Sequence, residues 1–297
     1  MKKMLFFVNP NAGHAEIRNN LMEVLQIFTL GGYEVTVHPT ACPRDLTKQI
    51  AERGENYDLI VCTGGDGTLN EATSGLMELE NRPMIGYIPA GTMNDVAYSL
   101  GLSLDTKRAA SDIVNGKPFP IDIGSFNGER WFDYVAAFGM FTDIPYDTPQ
   151  EGKRILGRLA YILNGAARTL TEIKPIHVTV ECEGWVQEAN VLVGLVCSTT
   201  SVAGLRATKP MGVSLNDGRF EIVLVREFRN LADFSAAAAC LLRSEFPEPY
   251  FLTYQSGDVK FTFDEPVSWT LDGEYGGTVT EAVIHNHQRA VDVIVPN

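Results

Sequence analysis

The sequence predicts an N-terminal α/β domain, a parallel sheet flanked by helices, followed by a C-terminal antiparallel β-sandwich domain. The chain has 297 residues, which suggests two domains at about 150 residues each. Strand and helix patterns alternate through the first 120 residues, as in a parallel sheet with right-handed crossovers. After Pro118 the pattern changes to short runs rich in valine, threonine and aromatic residues with turns between them, which is typical of a sandwich or barrel.

In the N-terminal part, predicted strands alternate with predicted helices. Apolar residues at helical spacing between Ile17 and Phe28 indicate a helix, and Gly31-Gly32 ends it. The run Tyr57–Thr63 is continuously apolar, as in a strand covered on both faces. The predicted elements are strand Met4–Asn9, helix Ala15–Leu30, strand Tyr33–Pro39, helix Asp45–Arg53, strand Tyr57–Thr63, helix Leu69–Leu79, strand Met84–Pro89, and helices Asp95–Leu100 and Thr106–Asn115.

In the C-terminal part, Asn127-Gly128 between two apolar runs predicts a hairpin. The predicted elements are strands Ile121–Phe126 and Trp131–Phe138, helix Ile155–Leu170, strands Ile176–Cys182, Trp185–Cys197 and Arg219–Arg226, helix Leu231–Leu242, and strands Asp258–Phe263, Val267–Leu271 and Thr278–His285. A last run, Ala290–Val295, fits either domain. We therefore predict domains at 1–120 and 121–285, with 286–297 a C-terminal strand that could return to the first domain.

Composition excludes several classes of protein. The formal net charge is −13, from 24 basic and 37 acidic residues, which argues against a nucleic-acid partner and against broad adhesion to anionic membranes. The five cysteines are widely spaced and form no C-x-x-C pair, so a disulfide framework or zinc site is not expected and a cytoplasmic location is. No apolar run approaches the roughly 20 residues of a membrane span.

The sharpest local pattern is Gly64-Gly65-Asp66-Gly67-Thr68, between a predicted buried strand and a predicted helix. Glycines let the backbone approach a ligand, and a helix N-terminus attracts phosphate. The alternative is a tight turn in which Asp66 or Thr68 caps the helix. The pattern lacks the Gly-Lys-Ser/Thr of a P-loop and the G-x-G-x-x-G spacing. Because no lysine occurs between Lys48 and Lys107, we expect a metal to neutralise phosphate here, which makes Asp66 a Mg²⁺-linked carboxylate.

A second glycine loop, Pro89 to Asp95, lies between the next strand and helix. It could complete a nucleotide cleft, because ligands collect at the carboxyl ends of parallel strands. The alternative is an ordinary N-cap by Asn94 or Asp95.

Together these motifs resemble the diacylglycerol kinase catalytic family, which includes soluble bacterial lipid kinases and sphingosine kinases. The match covers essentially the whole chain. It implies an N-terminal α/β nucleotide-binding domain, a C-terminal β-sandwich and an active site between them. The residues that carry the resemblance are Asn9-Pro10-x-x-Gly13, Gly64 to Glu71, Gly91-Thr92-x-Asn94-Asp95-x-Ala97, Asn216-Asp217-Gly218 and Leu271-Asp272-Gly273-Glu274.

The resemblance also implies ligand contacts. ATP contacts are implied at Asn9, Thr40, Gly64, Gly65, Asp66, Gly67, Thr68, Leu69, Asn70, Gly91 and Thr92. A magnesium–water network is implied at Asp66, Asp95 and Asp122, the last of which would otherwise be a solvent-facing strand residue. A second metal site is implied at the Asp217 carboxylate and the backbone carbonyls of Ser214 and Arg219; the alternative there is a plain β-turn at Asn216-Asp217-Gly218.

Glu274 matches the family's general base, and Asp272 matches its partner. Two carboxylates two residues apart on a strand point the same way, and their proximity would raise one pKa. The residues alone favour the alternative, an Asp-Gly hairpin turn with Glu274 in solvent.

The expected activity is ATP- and Mg²⁺-dependent phosphorylation of a lipid hydroxyl, with diacylglycerol as acceptor and phosphatidic acid as product. The alternatives are a kinase for a soluble acceptor, such as NAD or a sugar phosphate, and a nucleotide-binding lipid sensor without turnover. We expect a cytoplasmic enzyme that contacts a membrane transiently to reach its lipid. The helix Ile155–Leu170, with Arg158 and Arg168, either meets that surface or packs on the sandwich. The sequence leaves open whether two copies of the chain associate as a homodimer.

Overall fold

The computed structural model describes residues 1–10, 16–139, 174–198, 201–202, 205–206, 214–228, 230–243 and 245–297. The predicted helix Ile155–Leu170 and Gly13 lie outside these residues. The chain divides into two compact units, one formed by Met1–Ile123 with Gln288–Asn297 and the other by Gly124–His287.

The first unit alternates strands and helices. Its elements are β1 (Lys2–Val8), α1 (Glu16–Leu30), β2 (Tyr33–Pro39), α2 (Asp45–Arg53), a 3-10 turn (Gly54–Asn56), β3 (Leu59–Gly64), α3 (Asp66–Met77), β4 (Met84–Pro89), α4 (Asp95–Ser99) and α5 (Thr106–Asn115). The strand β5 (Lys117–Phe126) begins in this unit and ends in the other.

Its sheet is parallel, in the order β2-β1-β3-β4. Alternate β1 residues, Met4 and Phe6 among them, belong to a core cluster with α1 and α5. Phe6 meets Phe28 of α1 edge to face, with ring centroids 5.4 Å apart. The intervening Leu5 and Phe7 are equally buried, and they face the other side of the sheet because strand side chains alternate. Burial on both faces explains why these strands are continuously apolar.

The second unit consists mostly of strands. Its elements are β6 (Arg130–Phe132), β7 (Val135–Gly139), β8 (Ile176–Cys182), β9 (Trp185–Cys197), β10 (Ser201–Val202), β11 (Leu205–Arg206), β12 (Phe220–Arg226), α6 (Leu231–Leu242), β13 (Phe251–Ser256), β14 (Asp258–Leu271) and β15 (Glu274–Val295), the last of which ends in the first unit.

Strand pairing within the second unit is antiparallel. β12 lies between β13 and β9, and β14 pairs with β7, β8 and β15. The core is aromatic, with Trp269 in ring contact with Phe126, Phe138 and Phe261. Gly194 makes room for this core, because a Cβ there would lie 2.1 Å from the Phe138 ring.

Some predicted boundaries were wrong. The single predicted strand Trp131–Phe138 is two strands, β6 and β7. The predicted pair Asp258–Phe263 and Val267–Leu271 is one strand, β14, with a shift in its pairing register between Thr262 and Val267. The strand β13 was not predicted, and the run Ala290–Val295 is the end of β15 and belongs to the first unit. Among the described helices, none is long and apolar enough to cross a membrane.

Candidate active site

Four chain segments meet along the carboxyl edge of the parallel sheet in the first unit. The order β2-β1-β3-β4 places four sites at neighbouring strand ends: Thr40, Asn9, the Gly64-Gly65 pair, of which Gly64 is the last residue of β3, and Gly91. Backbone hydrogen bonds join neighbours: Thr40 N–H donates to Val8 at 3.0 Å, and Asn9 N–H to Thr63 at 3.4 Å. The N–H of Ala90 donates to the Gly64 carbonyl at 2.7 Å. This is the edge at which open α/β sheets bind ligands.

The two glycine loops touch backbone to backbone. A Cβ on Gly91 would lie 2.5 Å from the Gly65 Cα, and a Cβ on Gly64 would lie 2.1 Å from the Thr68 Oγ1. The approach of the two loops therefore depends on glycine at Gly91, whereas Gly64 makes room for the Thr68 side chain of its own loop. The buried Tyr87 hydroxyl also donates to the Gly64 carbonyl at 3.0 Å, a support that the sequence pattern did not signal.

The helix α3 begins at Asp66, three residues before the predicted start at Leu69. Gly65 occupies the N-cap position, and it makes no side-chain cap bond, so the alternative in which Asp66 or Thr68 is the N-cap residue is wrong. The N–H groups of Thr68 and Leu69 both donate to the Gly65 carbonyl, at 2.9 and 3.2 Å. The motif therefore forms the first helical turn, whose amides and dipole favour an anion.

Asp66 and Asp95, the first residues of α3 and α4, form an acidic pair. Burial, and next the nearby charge of Asp95, raise the pKa of Asp66. Asp95 itself is buried, and the Val96 N–H donates to Asp66 Oδ1 at 3.4 Å. Two partly or fully buried carboxylates repel each other unless a cation offsets their charge. Their hard oxygen atoms suit Mg²⁺.

The pair would hold such an ion partly through water. Within the described ranges, no three His, Cys, Asp or Glu side chains converge on one metal position. Mg²⁺ commonly keeps several of its waters and uses one or two carboxylates, so the two-carboxylate arrangement fits a hydrated magnesium ion.

Asn94 closes the second glycine loop. Its Oδ1 accepts the Gly91 N–H at 2.9 Å, and its Nδ2 donates to the Gly91 carbonyl at 2.9 Å. Asn94 adopts a left-handed φ of 52° at the N-cap position of α4, yet its side chain caps no helical N–H. The N-cap alternative is therefore wrong for Asn94, whose side chain fixes the loop instead. Thr92, in the same loop, is exposed.

Asp122 lies in β5 and is only 1% exposed, so the alternative of a solvent-facing residue is wrong. Its Oδ1 accepts the backbone N–H of Arg289 at 2.7 Å, where Arg289 has a left-handed φ of 53°. The carboxylate thus anchors the last strand segment within the first unit. Its proposed place in a magnesium network stays a prediction.

In the second unit, Asp272 and Gly273 form the turn between β14 and β15. Their φ values of 50° and 85° are those of a type I′ turn, and Glu274 pairs with Leu271 directly after it. Asp272 is therefore in the turn, so the expectation of two carboxylates sharing one strand face is wrong. The hairpin alternative is confirmed, with Glu274 exposed.

The Asp272 carboxylate accepts three consecutive backbone N–H groups, from Asp133 at 3.0 Å, Tyr134 at 3.0 Å and Val135 at 2.7 Å. Asp133 and Tyr134 lie in the break between β6 and β7, and Val135 is the first residue of β7. Their bonds to Asp272 account for the interruption of the single predicted strand. Burial raises the pKa of Asp272 to about 6, while the backbone N–H donors act to lower it. The cause is burial, not a neighbouring Glu274 as the spacing argument expected.

The predicted second metal position lies in a bend of the second unit. Asp217 Oδ1 accepts the Arg219 N–H at 3.0 Å, and Gly218 has a positive φ of 80°. Ser214 Oγ bonds Asn216 Oδ1 at 3.1 Å. The chain bends at residues 215–218. Both the β-turn and a metal held by Asp217 with the carbonyls of Ser214 and Arg219 stay predictions.

Glu71 is the last residue of the glycine motif, Gly64 to Glu71, and the sequence analysis gave no role to its side chain. Its carboxylate accepts the Arg44 N–H at 3.0 Å, at the start of α2. A signal was present, because the residue before α2 is arginine, which cannot cap a helix N-terminus.

Comparison with known proteins gives one family. The diacylglycerol kinase catalytic domain family matches residues 3–126. Diacylglycerol kinase from Bacillus subtilis (strain 168) is 38% identical over 299 residues, covering 100% of this chain and 97% of the relative. Diacylglycerol kinase from Staphylococcus aureus (strain MRSA252) is 33% identical, covering 100% and 93%.

Two crystal structures of Bacillus anthracis str. Sterne proteins are also similar. One has a TM-score of 0.84 and 25% sequence identity, covering 99% of this chain and 95% of the other. The other, a diacylglycerol kinase, has a TM-score of 0.79 and 23% identity, covering 99% and 97%. At 23% identity, the second structure indicates a shared fold only.

Proposed function

This chain belongs to the diacylglycerol kinase family, and from that premise we propose that it transfers the γ-phosphoryl group of ATP, with Mg²⁺, to the hydroxyl of diacylglycerol, giving phosphatidic acid. Family membership makes the protein a lipid kinase. The observation that carries the nucleotide assignment is the close backbone approach of Gly65 and Gly91, beside Asp66, whose carboxyl group senses the charge of Asp95. The names of the full-length relatives support diacylglycerol as the acceptor.

The first unit supplies groups suited to a triphosphate. The first-turn amides of α3 can donate to phosphate oxygens, and the absence of lysine from Gln49 to Thr106 leaves charge neutralisation to a cation. Asp66 and Asp95 would hold a hydrated magnesium ion, which screens the phosphates when bound. Asn9 and Thr40 lie on the same sheet edge, and we assign them to the same nucleotide.

We assign the general base to Glu274. The acceptor hydroxyl oxygen forms a bond to the γ-phosphorus as the bond to the β–γ bridging oxygen breaks, and ADP leaves. The hydroxyl proton passes to the Glu274 carboxylate. Glu274 is exposed, so its carboxylate is accessible to an acceptor. Asp272 acts as a positioning residue, because its three backbone hydrogen bonds fix the turn that carries Glu274.

The experiment uses labelled ATP and a panel of acceptors in mixed micelles. The lipids are diacylglycerol, phosphatidylglycerol, a polyprenol and a sphingoid base, and the soluble acceptors are NAD and a sugar phosphate. We expect label on diacylglycerol only with Mg²⁺ present. Glu274→Gln should reduce the rate by about 10²-fold or more, whereas Glu265→Gln, an exposed control on β14, should leave it unchanged.

Each alternative gives a different result. Label on NAD or the sugar phosphate, with none on any lipid, would overturn the lipid assignment. ATP binding with the same negligible turnover before and after Glu274→Gln would indicate a sensor. Label on another lipid of the panel would keep the kinase and change its acceptor. The proposal includes transient contact with a membrane surface, where such acceptors reside.

A further inference from the structure

The geometry points to Glu71 as a positioning residue for nucleotide binding: its carboxylate caps helix α2 and thereby fixes the loop 40–45 that presents Thr40 at the sheet edge. This inference rests on the proposed function, because it assumes that ATP lies against Thr40. Glu71 would not touch the nucleotide. It would act through backbone that belongs to another element.

The contact itself joins α3 to the start of α2. Glu71 Oε1 accepts the Arg44 N–H at 3.0 Å, and the Leu46 N–H is a second donor to this carboxylate. These N–H groups belong to the helix terminus, where no intrahelical acceptor exists. No side chain of the N-cap residue satisfies them. A carboxylate from a different helix therefore takes the place of a local cap, and it also favours the positive end of the α2 dipole.

Arg44 explains why an external acceptor is needed. Its φ of 63° is left-handed, a conformation in which the Cβ of any residue other than glycine comes too close to the following carbonyl oxygen. Such a conformation persists only when surrounding contacts hold it. The hydrogen bond from Arg44 N–H to Glu71 is a direct contact of this kind, so removing Glu71 releases the strained residue that immediately precedes α2.

The opposite side of the same loop is held by Asp45. Its Oδ2 accepts the Ala41 N–H at 2.9 Å and bonds His38 Nε2 at 3.0 Å. Arg53 bonds the other ring nitrogen of His38 at 3.0 Å. The Thr40 N–H donates to Val8. The loop is thus hydrogen-bonded at both ends. Among these bonds, the one from Arg44 N–H to Glu71 connects the loop to α3.

Close packing of α2 against α3 transmits this contact. A Cβ on Gly75 would lie 2.8 Å from both the Ile50 Cβ and the Thr47 carbonyl. Thr47 Oγ1 donates to the Glu71 carbonyl at 2.8 Å. The helices α2 and α3 are therefore in close contact, and Glu71 lies where the start of α2 meets α3.

The test compares Glu71→Ala with Glu71→Gln. The glutamine keeps the Oε1 acceptor and the alanine does not. We expect Glu71→Ala to raise the KM for MgATP about tenfold or more, with kcat within about threefold of wild type and the lipid KM unchanged. Glu71→Gln should keep the KM for MgATP within about threefold of wild type. Glu80→Ala, an exposed glutamate beyond the end of α3, is the matched control and should change neither constant.

Several outcomes would overturn the inference. A merely structural role would lower kcat through loss of active enzyme at unchanged KM, in Ala and Gln variants alike. An equal effect of Gln and Ala would mean that the acceptor atom is not what matters. If Glu71→Ala does not fold, the Gln variant alone decides, because a large rise in its KM excludes the capping account.

A second route tests the strain at Arg44. Glycine tolerates a φ of 63° without support, so Arg44→Gly should recover at least half of the melting temperature lost by Glu71→Ala, and no recovery would contradict the role of Arg44. If the wild-type chain neither binds nor consumes ATP, the proposed function fails. The melting temperatures still report on the capping contact.

Discussion

At Asp272, one carboxylate receives three N–H groups from a single stretch of backbone, Asp133 to Val135. Asp272→Ala would leave all three donors without that acceptor. Each buried unsatisfied donor costs about 1–3 kcal/mol, so we expect a loss of at least about 3 kcal/mol in the free energy of unfolding, measured by urea denaturation at pH 7.

The variant Asp272→Asn distinguishes the effect of the hydrogen-bond acceptor from the effect of the negative charge. The amide oxygen can still accept from Tyr134 and Val135, while the Asp133 donor loses its partner and a buried negative charge disappears. We expect a change of about 1 kcal/mol or less at pH 7. Glu265→Gln, exposed on β14, serves as the control and should be neutral. Equal losses for the Ala and Asn variants would mean that the charge, not the acceptor, holds the turn.

The raised pKa of Asp272 predicts a pH dependence of stability. Its folded pKa is about 6 against an ordinary value of 3.8, so the folded state holds the proton more tightly. The resulting stabilisation is complete below about pH 3.8 and is lost as the pH rises through about 6. The loss amounts to about 3 kcal/mol.

Urea denaturation of wild type and Asp272→Asn across pH 4–7 measures this contribution. Groups that do not bond Asp272, such as Asp66 with its raised pKa, are present in both proteins and cancel in the difference. The Asp133 side chain bonds Asp272, so the difference reports on these two carboxyl groups together. We expect the advantage of wild type over the Asn variant to shrink as the pH rises. An advantage that grows with pH would show that the three N–H donors outweigh burial and lower the pKa.

At the scale of elements, two glycine substitutions, Gly91→Ala and Gly67→Ala, test the contact between the glycine loops. Gly91→Ala places a Cβ 2.5 Å from the Gly65 Cα, and backbone cannot yield as a flexible side chain can. We expect a loss of about 1–3 kcal/mol and weaker MgATP binding, measured by thermal unfolding and by titration calorimetry. The variant Gly67→Ala is the matched control, because a Cβ at Gly67 meets no atom within 4 Å.

Gly67 lies in the helix α3, so Gly67→Ala should keep or raise the melting temperature, because alanine favours helix. Equal melting temperatures for the two variants would contradict the loop contact.

The sequence predicts helices and strands best where the local signals agree with one another. The strand Tyr33–Pro39 and the helices Asp45–Arg53 and Thr106–Asn115 have their predicted bounds, because periodicity and end signals agree there. The break between β6 and β7 was missed because its cause, Asp272, lies 137 to 139 residues away along the chain. The strand β13 has few alternating apolar residues of its own, and it forms by pairing with β12.

In the candidate site as well, local patterns identified some residues, whereas others are evident only from tertiary contacts. Glycines before a helix are a local signal, so the sequence identified the two loops of the first unit. The Asn94 side chain bonding Gly91, and the contact of Glu71 with Arg44 across 27 residues, depend on side-chain direction and on tertiary approach. No spacing rule carries that information. The start of α3 at Asp66 was missed because Gly67 lies in its first turn and glycine is a poor helix former.

At the scale of the molecule, the chain completes its first unit with its last ten residues. Gln288–Asn297 belongs to that unit, and Val293 pairs in parallel with Ile85 of β4. Asp122 bonds the backbone at Arg289, and Ile294 joins the core cluster of α1 and α5. The first unit therefore cannot be complete until both ends of the chain are present.

Deletion of residues 288–297 should prevent stable folding of the first unit. It removes four buried side chains, Val291, Val293, Ile294 and Val295, worth about 1.5–3 kcal/mol each. That loss is comparable to the whole stability of a typical domain, about 5–15 kcal/mol. It also exposes β4 as an apolar sheet edge, which favours aggregation. Circular dichroism melts and size-exclusion chromatography should show an aggregating or non-cooperative chain, while Asp292→Ala, exposed in the same segment, should behave as wild type. A deleted chain that stays monomeric and melts cooperatively at the wild-type temperature would show that the last strand is dispensable, and that the first unit is held by residues 1–123 alone.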